Sequence, residues 1–348
     1  MAYTTIDNPA DYFNTVLYTG TGSTQSITGV GFQPDWVWIK RRSGSQDHNL
    51  YDVIRGATKA IESNSSSAEQ TKSDDLTAFA SDGFSLGSGI KTNANTETHV
   101  AWNWLASNTT ASNTDGSITS TVSANTTAGF SIVSYTGTGS NATVGHGLGA
   151  VPQTVIVKRR SGSSESWTSF HEPLGNTKRL IFNTDDAAGT SSTYWNSTSP
   201  TSSVFSIGTN DGTNTSSATY IAYCFAEKKG YSKFGSYTGN GDADGTFVYT
   251  GFKPAFVLTK RTTDGTESWH IFDNKRNTFN EVNTRIQGNS SGGEDTAAPL
   301  GDFVSNGFKI RGTGGGINVS AKEFIYMAFA ENPFVANDSG TAVPVTAR

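Results

Sequence analysis

The sequence predicts an all-β protein made of three tandem antiparallel β-sandwich repeats, jelly-roll or lectin-like in form. Three observations lead there. Four landmarks recur three times in constant order, apolar residues alternate with period two between turn residues, and helix signals are few. The most helical stretch, residues 51–62, is interrupted by Gly56. Repeats of about a hundred residues are long enough to hold a core each.

The first landmark is an apolar stretch ending in Tyr-Thr-Gly-x-Gly, at 13–22, 130–139 and 231–241. It reads as a strand entering a tight turn. The second is a proline strand: Gly31-Phe-Gln-Pro-Asp-Trp-Val-Trp-Ile-Lys-Arg41, Gly149-Ala-Val-Pro-Gln-Thr-Val-Ile-Val-Lys-Arg159 and Gly251-Phe-Lys-Pro-Ala-Phe-Val-Leu-Thr-Lys-Arg261. Proline fits just before the strand, where no ladder donor is needed. Alternation puts Val37 and Ile39 on one face and Trp36 and Trp38 on the other, with the same split in the other copies. Both faces are largely apolar, so the strand needs two covers; the second is another layer, another repeat or another subunit. The third landmark is a turn feeding a Phe-x-Leu/Ile strand, at 81–87, 203–208 and 305–312. The fourth is a closing strand with one bulky face: Val100, Trp102 and Trp104, then Ile221, Tyr223 and Phe225, then Ile325, Met327 and Phe329.

These landmarks divide the chain into an extension (1–12), repeats at 13–107, 129–229 and 230–334, a Ser/Thr/Asn-rich linker with a docking-strand candidate at 108–128, and a tail at 335–348. Charged residues are only 16% of the chain, against ~25% in ordinary soluble proteins. Serine and threonine supply roughly a quarter of it. The surface is therefore polar through hydroxyls and amides. Aromatics at 11% with a net charge of −5 argue against disorder. A pI near 5.6 argues against nucleic-acid binding. No apolar run is long enough for a membrane span, and the N-terminus has no export-signal pattern. A single cysteine, Cys224, rules out an internal disulfide framework.

Chemistry is sparse. The five histidines fall in no metal or nucleophile motif, no P-loop occurs, and no carboxylate pair can be picked out for glycoside hydrolysis. Asp242-Ala-Asp-Gly245 has only half of a calcium loop. The expectation is a non-enzyme with no cofactor and no metal. His146, in a glycine-rich turn, reads either as a presented polar group or, preferably, as a turn residue. Lys40, Arg41, Arg42, Lys158, Arg159, Arg160, Lys260 and Arg261 end the proline strands. They form either a basic patch for anionic glycans or a neighbouring subunit, or, more simply, charges that block edge pairing. Glu165 with Trp167 and Glu267 with Trp269 pair an acid and an aromatic, as sugar sites do. Tryptophans filling one end of a sandwich are the plainer reading. Trp195 lies in a polar loop and is expected to be the most exposed aromatic.

The opening 1–13, the three landmark repeats and the ending Met327-Ala-Phe-Ala-Glu-Asn-Pro-Phe334 with Thr346-Ala-Arg348 resemble a family of repeat-containing virion structural and tail-fibre proteins of tailed phages of aquatic bacteria, cyanophages among them. The second repeat departs from its Gly-Phe-x-Pro with Gly149-Ala-Val-Pro152. The resemblance brings no catalytic residues. It implies a virion protein on the particle exterior, made in the host cytoplasm and released by lysis. The leading expectation is a tail-fibre or spike-like component that adheres to host-surface glycans as a homotrimer or other symmetric oligomer, among other virion proteins. A capsid decoration or tail accessory of purely architectural role is the alternative, and a glycan depolymerase the third.

Overall fold

The computed structural model describes residues 3–338 and 341–344. Met1-Ala2 and Thr346-Ala-Arg348, which carry part of the resemblance, lie outside the described residues. The described chain is all-β and its named strand pairs are antiparallel.

One sheet pattern appears in each of three segments. In the first, Thr98–Trp104 lies between Phe13–Thr19 and Trp36–Arg41, with Asn49–Asp52 outside. In the second, Thr219–Phe225 lies between Phe130–Thr136 and Thr154–Arg159, with Thr168–His171 outside. In the third, Glu323–Pro333 lies between Ser232–Thr238 and Phe252–Arg261, with His270–Asp273 outside. The registers agree: Trp36 opposes Trp104, Thr154 opposes Phe225, and Phe256 opposes Phe329. In the second segment, Ser120–Asn125 pairs with Phe130–Thr136 and brings Ala111–Asn113 in as the edge, so the expected linker contributes two strands to the sheet.

A small sheet covers one face of each large sheet. Gln25–Ile27, Gly83–Leu86 and Leu76–Ala80 form it in the first segment. Ala142–Gly145 with Val204–Ile207 forms it in the second, and Phe247–Tyr249, Gly307–Ile310 and Gly301–Val304 in the third. Val37 and Ile39 meet Ile27, Phe84 and Leu86 across this gap. Val155 and Val157 meet Phe205 and Ile207, and Val257 meets Phe303, Phe308 and Ile310.

The opposite, bulky faces of the three large sheets meet one another. Trp36, Trp102 and Trp104 share one buried cluster with Phe130, Ile156, Tyr223 and Phe225, and with Phe256, Leu258, Met327 and Phe329. Trp36 stacks on Tyr223 at 4.4 Å between centroids, Phe13 stacks on Phe329 at 5.1 Å, and Phe225 meets Phe329 edge-on at 5.9 Å. The second cover of the proline strand is thus the other two segments.

The Tyr-Thr-Gly-x-Gly turn has a common physical cause. Tyr18, Tyr135 and Tyr237 donate their hydroxyls to the carbonyls of Thr92, Thr213 and Ile317, at 2.6, 2.7 and 2.8 Å. The next residue in each case is a buried asparagine. Asn214 Oδ1 accepts from the Thr138 amide at 2.7 Å, while its Nδ2 donates to the Ser140 and Gly208 carbonyls at 2.6 and 2.7 Å. Asn93 and Asn318 make the same three bonds. Glycine is required because a Cβ at Gly20, Gly137 or Gly239 would lie 2.1, 2.3 or 2.3 Å from a backbone oxygen of the asparagine turn.

Candidate functional site

The residues singled out from the sequence gather where segments meet. The proline strand alternates Trp36, Trp38, Lys40 on its inward face, so the lysine follows the tryptophans into the interior. Lys40, Lys158 and Lys260 are each fully buried. They are not a basic patch. Lys158 Nζ donates to the carbonyls of Ser66, Arg159 and Glu165 at 3.1, 3.0 and 2.8 Å. Lys40 reaches the carbonyls of Arg41 and Ser291 at 2.8 and 3.2 Å. Lys260 reaches those of Asp185 and Glu267 at 2.9 and 2.5 Å. Burial pushes all three ammonium groups down to about 8.

Each lysine therefore holds a loop of a different segment, and the contacts run in a ring: first on third, second on first, third on second. Backbone bonds follow the ring. The amides of Gln46, Glu165 and Glu267 donate to Ser291, Ser66 and Asp185, and the amides of Glu294, Glu69 and Ala188 donate back to Arg42, Arg160 and Thr262. Arg42 and Arg160 add two-pronged ion pairs, to Glu294 at 2.8 and 2.9 Å and to Glu69 at 2.9 and 3.2 Å. Arg41, Arg159 and Arg261 fold back on their own turns, at Ser45, Ser161 and Thr263.

The aromatic–acid element serves the same junctions. Trp167 Nε1 donates to the Glu62 carbonyl at 2.8 Å and Trp269 Nε1 to the Ile181 carbonyl at 3.2 Å. His48 takes this place in the first segment. Its Nδ1 accepts from Trp38 Nε1 at 2.8 Å, so Nε2 carries the hydrogen and donates to the Gln287 carbonyl at 3.0 Å. Glu165 and Glu267 sit half-buried beside them, their main chains spent on the ring. With Trp167 and Trp269 buried, neither can stack a sugar ring. Trp195, expected to be exposed, is buried too. Its turn of helix, Ser192–Trp195, folds the indole onto Phe170 at 5.9 Å between centroids. His146 is likewise buried: its Nδ1 accepts from the Leu148 amide at 3.2 Å, and Nε2 faces the Thr201 carbonyl at 3.1 Å.

Two buried ion pairs were not singled out from the sequence. Asp52 holds Arg55 and accepts from the Tyr223 hydroxyl at 2.8 Å. Asp273 holds Arg276 at 2.6 Å and accepts from Trp102 Nε1 at 3.0 Å. The signal was Asp-x-x-Arg at equal places in two repeats; the second repeat has His171-Glu-Pro-Leu174 instead. There His171 Nε2 meets the Tyr326 carbonyl at 3.1 Å. All five histidines are buried, and burial pulls their pKa values down, to about 3 for His48 and His270 and about 4 for His99 and His171. Asp244 is engaged by Lys309 at 2.8 Å. Among the described residues, no three His, Cys, Asp or Glu side chains are grouped as a metal ion would need. The arrangement locks segments together.

One family model matches residues 8–333, nearly the span of the ring. The chain belongs to the family of domains of unknown function DUF7483. In this DUF7483 chain a single family unit takes in all three landmark sets. No curated protein and no solved structure matches it.

Proposed function

We propose that this DUF7483 chain is a non-enzymatic virion structural protein on the particle exterior. It consists of three tandem antiparallel β-sandwich repeats closed on one another, and its role is architectural. The observation that carries this reading is the inward use of the polar chemistry. Lysines, tryptophans and histidines that sequence offers for binding are spent on carbonyls of neighbouring segments. A body locked in this way suits a capsid decoration or tail accessory that must keep its shape outside the cell. The resemblance to phage virion proteins and the hydroxyl- and amide-rich composition support the same reading, since such a surface stays soluble with little dependence on salt. Glycan adhesion through Trp167, Trp195 and Trp269 loses its support with their burial.

Purified intact particles of the encoding phage provide the test. Mass spectrometry is expected to find the chain in fixed copy number, and electron cryo-imaging to place it outside the shell or tail. Absence from the particles would overturn the virion reading. New reducing ends released from host polysaccharide by the purified protein would overturn the non-enzymatic one.

A further inference from the structure

The third segment departs from the other two at one place. Ile39, Val157 and Thr259 pair with Asn49, Thr168 and His270, which makes Asp52, His171 and Asp273 equivalent. Leu50, Ser169 and Ile271 then pair with Ile61, Leu180 and Ile286. Between these fixed points lie eight residues in the first segment, eight in the second and twelve in the third. An insertion confined to one copy of a regular array marks a face that does something besides stacking.

The lengthened loop walls a cleft of about 260 Å³ lined by Asn274, Asn277, Phe279, Asn280, Lys253 and Glu331, among others. The loop is pinned. Asn280 clamps both backbone groups of Phe303, at 2.9 Å each, and Asn277 Oδ1 accepts from the Thr284 amide at 2.7 Å. On this pinned loop Phe279 is 84% exposed. An aromatic held out in water adds nothing to folding. Asn274 stands where the first segment has Val53, which packs on the central core. Its Oδ1 is buried, and no described donor reaches it. Lys253 is neutralised by Glu331 at 2.7 Å, so the lining presents no unpaired cation from that pair to a phosphate or carboxylate.

We propose that this cleft binds one ring of a neutral sugar, a hexopyranose. Phe279 lies against the apolar face of the ring, and the Lys253–Glu331 pair serves its hydroxyls. The cleft is smaller than the ~300–1,000 Å³ of drug-sized sites, which suits a single ring. The inference does not rest on the architectural role proposed above.

The test is saturation-transfer NMR on the full chain with the methyl glycosides of glucose, galactose, mannose and N-acetylglucosamine. At least one is expected to receive saturation, with the signal falling tenfold or more in Phe279→Ala. Because Phe279 is exposed, that variant should melt at the wild-type temperature. No transfer to any of the four sugars, or a signal unchanged in Phe279→Ala, overturns the proposal.

Discussion

At Lys158 an ammonium group is held out of water by three carbonyls, two of them from its own segment and one from Ser66 in the first. Lys158→Met keeps the stem but strands those acceptors, and about 2 kcal/mol of stability should go, as read by urea unfolding at pH 7. The pH dependence identifies the cause. The folded lysine gives up its proton near pH 8 and the unfolded one near 10.5. Between those values the unfolded chain binds more protons, so raising the pH favours folding in the wild type. The stability gap between wild type and Lys158→Met should therefore widen from pH 8 to 10. Histidines set the acid limit in the same sense, in a lower pH window. His48, His270, His99 and His171 take up protons near 3–4 when folded and near 6.5 when unfolded. Protonation therefore favours unfolding, and stability should fall as the pH drops below 6.5, on the order of 2–3 kcal/mol per histidine by pH 4.5. Asp35, pushed up to about 6 by burial, and Asp75, also raised by burial, oppose this. Thermal melts at pH 7, 5.5 and 4.5 check it; an unchanged melting temperature would contradict the histidine assignment.

Among the elements, the asparagine-stapled turn is the most economical device. Asn214→Ala removes three bonds and leaves the Thr138 amide and two carbonyls without their partner, a loss of about 2–4 kcal/mol. Tyr135→Phe removes one bond and should cost about 1 kcal/mol. Equal losses from both changes, measured by denaturant unfolding, would show that the staple does not work through the asparagine. The strand and turn positions were legible because alternation and glycine are local signals. Tyr18, Tyr135 and Tyr237 were visible as a repeated residue, but their acceptors lie about 75–80 residues away. The lysines mislead for a related reason. Composition makes Lys-Arg-Arg look like a surface patch, whereas period two already places Lys40 on the face of Trp36 and Trp38. Trp195 could not be read at all, because its burial depends on a turn of helix folding it back onto Phe170.

At the scale of the molecule, the large sheets give each segment two apolar faces, and only one is covered by the segment's own small sheet. The sequence showed both faces and left the second cover open, since which of three equal surfaces meet is a question of distant pairing. A shared core makes the segments unfold together. Calorimetry should show one transition, with the van't Hoff enthalpy matching the calorimetric one; separate transitions would mean that each segment is stable alone. Residues 129–229 expressed by themselves should bind a hydrophobic dye, because Ile132, Ile156, Tyr223 and Phe225 would face water.

The Arg42–Glu294 pair joins residues 252 positions apart, and Lys40 reaches Ser291 across 251. Translation delivers these partners at opposite ends of its timetable. At ~5–20 residues per second, the opening segment waits on the ribosome for tens of seconds with its tryptophan face uncovered. A nascent chain cut short before residue 291 never receives the loop that Lys40 holds, so its tryptophan face should stay open to proteases and to other chains.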